Sequence, residues 1–224
     1  RSTLFPYTTL FRSRDKHPDY NTNKKHYHFG SVYGAGFGSN DKRFEGDYAN
    51  DSTANGLYKR PVEIAGRVYG NTFVNISGGQ VLENVFGGGE LSSVGMVKDN
   101  NLINGVATVT MTGGQVGPLD MTGLNAYVYG GSEGVAVDLN GDFKNYSNVN
   151  ETHVTVEEGT NTSGEVVSSP RVWGSLFGGG SDGHVLGNAN VTFNGGTLGT
   201  WGTTTWDGNI FGGGRNFKAT NKNL

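Results

Sequence analysis

Acidic side chains recur at a near-constant distance behind a repeated aromatic residue. Glu90 follows Phe86 by four residues, Glu133 follows Tyr129 by four, and Asp182 follows Phe177 by five. In the fourth copy Arg215 stands at that place, after Phe211. If equivalent positions lie on neighbouring strands, the three acids form a row about 5 Å apart, capped by a cation. Hard oxygen ligands of this kind suit Ca²⁺, and the same oxygens can contact sugar hydroxyls. The competing reading is a set of solvated loop acids. Trp173, Trp201 and Trp206 fall in the longer loops of the last two copies. Indoles there either stack on sugars or cover the protein's own apolar side.

Other chemistry finds no support in the residue pattern. His17, His26, His28, His153 and His184 show no metal-ligand spacing, and no Ser-His-Asp arrangement emerges from motifs. The string Gly34-Ala35-Gly36-Phe37-Gly38 lacks the spacing of a dinucleotide loop and precedes no helical pattern. Gly178-Gly179-Gly180-Ser181-Asp182-Gly183 misses the G-G-x-G-x-D spacing of calcium-binding nonapeptides and has no tandem copy. No catalytic or cofactor-binding residue is therefore assigned, and Ca²⁺ is the one ion for which a pattern exists.

Composition narrows the class. The formal charge is −3, and beyond Lys24-Lys25 there is no basic block, so nucleic acid is not an expected partner. Hydrophobic residues make up 34% of the chain, with no apolar run near the roughly 18 residues that span a bilayer. Cysteine is absent, which excludes disulfides and Cys-based zinc sites but fits the cytosol and the cell exterior equally. Glycine is the outlier, at 39 of 224 residues, against about 7% in ordinary proteins. With five prolines and no G-X-Y period, those glycines do not belong to collagen.

The glycines belong to repeats. Four times an aliphatic–aromatic pair runs into a glycine cluster: Val85-Phe86-Gly87-Gly88-Gly89, Val128-Tyr129-Gly130-Gly131, Leu176-Phe177-Gly178-Gly179-Gly180 and Ile210-Phe211-Gly212-Gly213-Gly214. Ahead of each lies a strand phrase with apolar residues at alternate positions, namely Val74-Asn75-Ile76, Val109-Thr110-Met111, Val154-Thr155-Val156 and Val191-Thr192-Phe193. Period two is the strand signature. In three of the four copies the phrase ends in Gly-Gly, which permits a sharp turn.

Ser31-Val32-Tyr33-Gly34 and Arg67-Val68-Tyr69-Gly70 read as degenerate members of the aromatic–glycine phrase. The pattern predicts an all-β chain: a parallel β-solenoid of 34–48-residue repeats with loops of uneven length on its outside. Val74, Val109, Val154 and Val191 are expected to form one ladder, and Ile76, Met111, Val156 and Phe193 the next. The aromatics form a further column, facing inward or outward. Because Val85 and Phe86 are adjacent, only one of their two columns is expected to face the core. A kelch-type propeller is the structural alternative, since its blades also carry an aliphatic–aromatic pair before Gly-Gly.

Residues 1–13, RSTLFPYTTLFRS, resemble the in-frame translation of a sequencing-library adapter and are set aside as foreign. Without Arg1 and Arg12 the charge is more negative still. The remaining chain divides into a polar, partly irregular segment with a degenerate repeat (14–61), the repeats proper (62–214) and a truncated tail (215–224). It reads as a fragment of a longer array, with any export signal and anchor outside it.

The glycine-, asparagine- and threonine-rich VTxxGG and VFGGG phrases resemble repeats of bacterial surface proteins of the adhesin and autotransporter-passenger type. That resemblance covers roughly residues 62–214. It implies a right-handed parallel β-helix, export to the cell surface or exterior, and a non-enzymatic stalk or contact surface whose partners are host or matrix glycans or proteins. A polysaccharide lyase or hydrolase on a β-helix is the enzymatic alternative. No transmembrane segment is expected in this fragment.

Overall fold

The structure, a computed structural model, describes residues 30–38, 65–98, 101–117, 126–134, 147–199 and 208–215. The adapter-like segment, the polar stretch 39–60, Trp201, Trp206 and the tail from 216 onward lie outside them.

The described residues are all-β, and nearly every strand pairs in parallel with the equivalent segment of the next repeat. The strand phrases lie side by side within Thr72–Val81, Val106–Val116, Glu151–Val156 and Ala189–Phe193. Their register matches the expected ladders: Val74 pairs with Val109, Val109 with Val154 and Val154 with Val191. Ile76, Met111, Val156 and Phe193 follow in the same order. Alternation explains the burial. Val109 and Met111 are fully buried, while Thr110 between them is partly exposed.

Glycine then bends the chain. Gly79, Gly114 and Gly196 follow three of the strand phrases with φ of 79°, 72° and 99°, a region that side-chain-bearing residues rarely enter. Past the bend runs a second ladder, Val81–Val116–Val172–Leu198. The third repeat, which has Glu158 in place of the first glycine, reaches this ladder differently. A small antiparallel hairpin, Gly159–Thr160 with Val166–Ser168, is inserted there.

The aromatic–glycine phrases form a five-stranded parallel sheet in the order Val32–Tyr33, Val85–Phe86, Val128–Tyr129, Leu176–Phe177, Ile210–Phe211. Its first strand confirms that Ser31-Val32-Tyr33-Gly34 is a member of this phrase. Arg67-Val68-Tyr69-Gly70 is not. Val68 pairs with Val94 in a fourth row, Val68–Val94–Val149–Val185, and Tyr69 is 55% exposed. A Val-Tyr-Gly string is too short to fix its place in a repeat, and the chain path decides it.

Valines and their neighbours from the first three ladders enclose one aliphatic core: Val74, Ile76, Val109, Met111, Val154 and Val156 meet Val116 and Val172, and Val85, Val128 and Leu176. Only one column of the aromatic–glycine strand faces this core, as adjacency requires, but both columns are buried. Val85 and Phe86 are 0% and 1% exposed, and Val128 and Tyr129 are both 0% exposed. The aliphatic column faces the shared core, whereas the aromatics form a separate cluster on the sheet's other face, covered by Tyr127. A strand covered on both sides shows no apolar–polar alternation, so adjacency could not tell which column was inside.

Two hydroxyls tie opposite walls together. Thr72 and Thr152 each donate at 2.6 Å to the carbonyls of Gly87 and Gly178. Those glycines are required by close approach. A methyl group at Gly34, Gly87, Gly130 or Gly178 would overlap the carbonyl oxygen of the equivalent glycine in the next repeat.

Candidate functional site

Parallel pairing dictates the geometry beside the aromatic sheet. Strands are about 4.8 Å apart, so equivalent rings must lie face over face. Tyr33, Phe86, Tyr129, Phe177 and Phe211 stack with centroid separations of 5.0, 4.8, 5.0 and 4.9 Å and interplanar angles of 3° to 16°. Tyr127 closes the column from the side, meeting Phe177 edge-on at 5.9 Å.

The acid row runs alongside. Backbone bridges join Phe37 to Glu90, Glu90 to Glu133 and Glu133 to Asp182, so the predicted neighbours do come together. The last step differs, being antiparallel, and it is Ser181 that pairs with Arg215. Asp182 sits one residue beyond the four-residue spacing and adopts φ of 55°. Leu91, the residue after Glu90, has φ of 51° in the same place, so Ser181 holds the acids' position in the third repeat and Asp182 the one after it.

These acids are not free loop side chains. Glu90 is 8% exposed and Glu133 half-buried. The Tyr33 hydroxyl donates to Glu133 Oε2. A further carboxyl, Glu83, is 5% exposed and accepts a 2.8 Å hydrogen bond from Ser31 Oγ. Burial pushes Glu83 up to about 8; the Ser31 hydroxyl opposes the shift, and the charges of Glu133 and Glu90 add to it. Burial, then the fields of Glu133 and Glu90, hold the Tyr33 hydroxyl protonated well above the ordinary phenol range. Negative charge near a phenol disfavours its ionised form, so Tyr33 remains a donor to the row.

At the opposite end of the column the charge is positive. The Arg215 guanidinium lies 4.7 Å from the Tyr127 ring centroid, an arrangement favoured by the ring quadrupole. Burial raises the Tyr129 hydroxyl above its usual range, with Arg215 acting against that shift. Trp173 is half-buried, and the Arg171 guanidinium stands 4.3 Å over its ring, taking up one face of the indole.

Chemically, the arrangement is a chain of protonated donors and carboxylates set into the wall of the stack. Among the described residues no three His, Asp or Glu side chains form a metal-binding group. Glu83, Ser31 and Tyr33 were not singled out from the sequence. One signal was available for Glu83. Its column otherwise holds Gly30, Ala126, Gly174 and Gly208, so a lone carboxylate among small residues marks the unusual member. The chain matches no known family model, no curated protein and no solved structure.

Proposed function

We propose that this chain is a stretch of parallel β-solenoid that serves as a non-enzymatic extracellular scaffold, an adhesin-like stalk or contact surface. The observation that carries the reading is residue-for-residue parallel register between equivalent positions of successive repeats, on every side of the unit. Such stacking builds length and a repeating face, while a propeller needs radially arranged antiparallel blades. Burial of the acids supports a structural role for them, because Glu133 is engaged by Tyr33 and Glu83 by Ser31.

The contact face suggested by this geometry is the outward row Asn75, Thr110, Thr155 and Thr192, in register on adjacent strands. Amide and hydroxyl groups repeated at strand spacing suit a polymeric polar partner such as a glycan. The test is binding of the full chain to glycan and matrix-protein arrays, with Thr110→Asp/Thr155→Asp as the surface variant. Binding that the variant loses without a change in its circular dichroism is expected. Release of reducing ends from polysaccharides by the wild-type chain would instead select the enzymatic alternative.

A further inference from the structure

Arg171 and Trp173 stand two residues apart on the outer face of the second ladder. Val172 between them is fully buried in the aliphatic core, and strand alternation turns its neighbours the other way. The strand is paired on both sides, with Arg171 opposite Gln115 in one repeat and Thr197 in the next. This pair therefore lies within the stack. Its cation has no counter-charge. Arg171 Nη2 donates to the carbonyl of Gly199 at 2.7 Å, and among the described residues no carboxylate pairs with it. In a chain of net charge −3 acids are in excess, yet none covers this guanidinium.

The indole supplies an independent observation. Trp173 belongs to none of the buried apolar clusters, so covering the protein's own apolar side is not its use. Its equivalents in the neighbouring repeats are Gly117 and Gly199, which like Trp173 donate their N–H to the preceding repeat's ladder residue. Neither carries a side chain, and the indole is a lone flat surface between two bare strands. Two donors of the pair, Arg171 Nε and Trp173 Nε1, are shielded from solvent and have no acceptor among the described residues. Such groups ordinarily find a partner. With the guanidinium 4.3 Å from the ring centroid, one carboxylate or sulfate group reaches both.

We propose that Arg171 and Trp173 bind an acidic saccharide, a uronate or sulfated sugar unit of a polymeric glycan. The guanidinium takes the anion, because its planar fork matches paired oxyanion oxygens. The sugar ring lies along the exposed part of the indole, whose flat apolar face suits it. Gln115 and Thr197, in register on either side and open to solvent, offer amide and hydroxyl groups to the sugar hydroxyls. Arg171 and Trp173 are both only half-buried, so the ligand arrives from the solvent side. Arg171 is tethered through one nitrogen, which leaves its side chain able to turn the covered Nε toward the anion. The inference rests on the reading of this chain as a contact surface and gives that surface a second, charged wall.

Calorimetric titration of the full chain tests the proposal with an oligogalacturonate, a sulfated carrageenan oligosaccharide, a neutral cello-oligosaccharide and inorganic sulfate. Saturable binding of one or both acidic sugars is expected, weakening as salt is added, and the probe that binds identifies the anion. Arg171→Gln is expected to weaken that binding by about tenfold or more with circular dichroism unchanged. If this variant melts early, Arg171→Lys decides, since it keeps the charge but loses the planar fork, and the same weakening is expected. No binding of either acidic sugar, or binding that both Arg171 variants leave unchanged, would overturn the site. So would equal affinity for the neutral sugar, or for inorganic sulfate, which would mean an adventitious ion only. Any of these results, alongside glycan or matrix-protein binding that Thr110→Asp/Thr155→Asp abolishes, would leave the contact-surface reading standing.

Discussion

Val128 and Tyr129 are adjacent and equally buried, yet they belong to different interiors. Val128 faces an aliphatic core built from three ladders of the same repeats. Tyr129 faces a column of stacked rings, covered by Tyr127 and lined by the buried acids and serines of the returning chain. The first interior is made by repetition, with every wall supplied by a repeated phrase. The second is made by exceptions, for Tyr127, Glu83 and Arg215 each occur once. A stack can therefore carry a uniform core on one side of a sheet and an individual polar site on the other.

The most damaging way to break the repeated side is a charge in its central ladder. Val109→Asp places an unpaired carboxylate at a fully buried position and should cost about 4 kcal/mol or more, unfolding or aggregating the chain. Thr110→Asp, on the outward face of the same strand, should change stability by less than about 1 kcal/mol. Thermal circular dichroism with size-exclusion chromatography distinguishes them, and equal damage from both would remove the inward–outward assignment.

On the aromatic side, position along the stack should grade the loss. Tyr129→Ala removes a ring sandwiched between Phe86 and Phe177 and should cost roughly 3–5 kcal/mol. Phe211→Ala removes a ring that, among the described residues, has a stacked neighbour on one face only, and should cost roughly 1–2 kcal/mol because less area is buried. Denaturant melts measure both, and similar losses would mean that the outer ring is already covered.

Sharpest of all, though smallest, is a pH test of the acidic lining. Glu83 is raised from 4.5 to about 8 by burial and the nearby acids. Across that interval the folded protein holds a proton that the unfolded chain has released, so its stability falls as pH rises. The contribution of Glu83 is full below about pH 4.5 and lost by about pH 8. Glu83→Gln removes this dependence and should gain roughly 1–3 kcal/mol on wild type between pH 5 and pH 8. Parallel curves for the two proteins would show that Glu83 is not buried in solution.

Much of the architecture was legible because repetition converts a weak local signal into a strong one. Period-two valines in four copies specified both ladders and their register, and the Gly-Gly endings marked three bends correctly. The candidate site was legible in part. Equal spacing after the aromatics brought Glu90 and Glu133 together, while in the third repeat Ser181 takes the acids' place and Asp182, one position further on, meets Glu133 in an antiparallel bridge. Tyr33's bond to Glu133 joins residues a hundred positions apart, and no local spacing announces such a contact.

By itself the residue order determined which positions repeat, which alternate, and where glycine must allow the chain to turn or a neighbour to approach. Those are properties of single strands and their nearest equivalents. Only the tertiary structure decided that both faces of the aromatic sheet are covered, that Val68 joins a fourth row, and that Glu83 lies against Ser31. Burial and long-range hydrogen bonding depend on what the returning chain lays over a surface, and that path is set by all the ladders together.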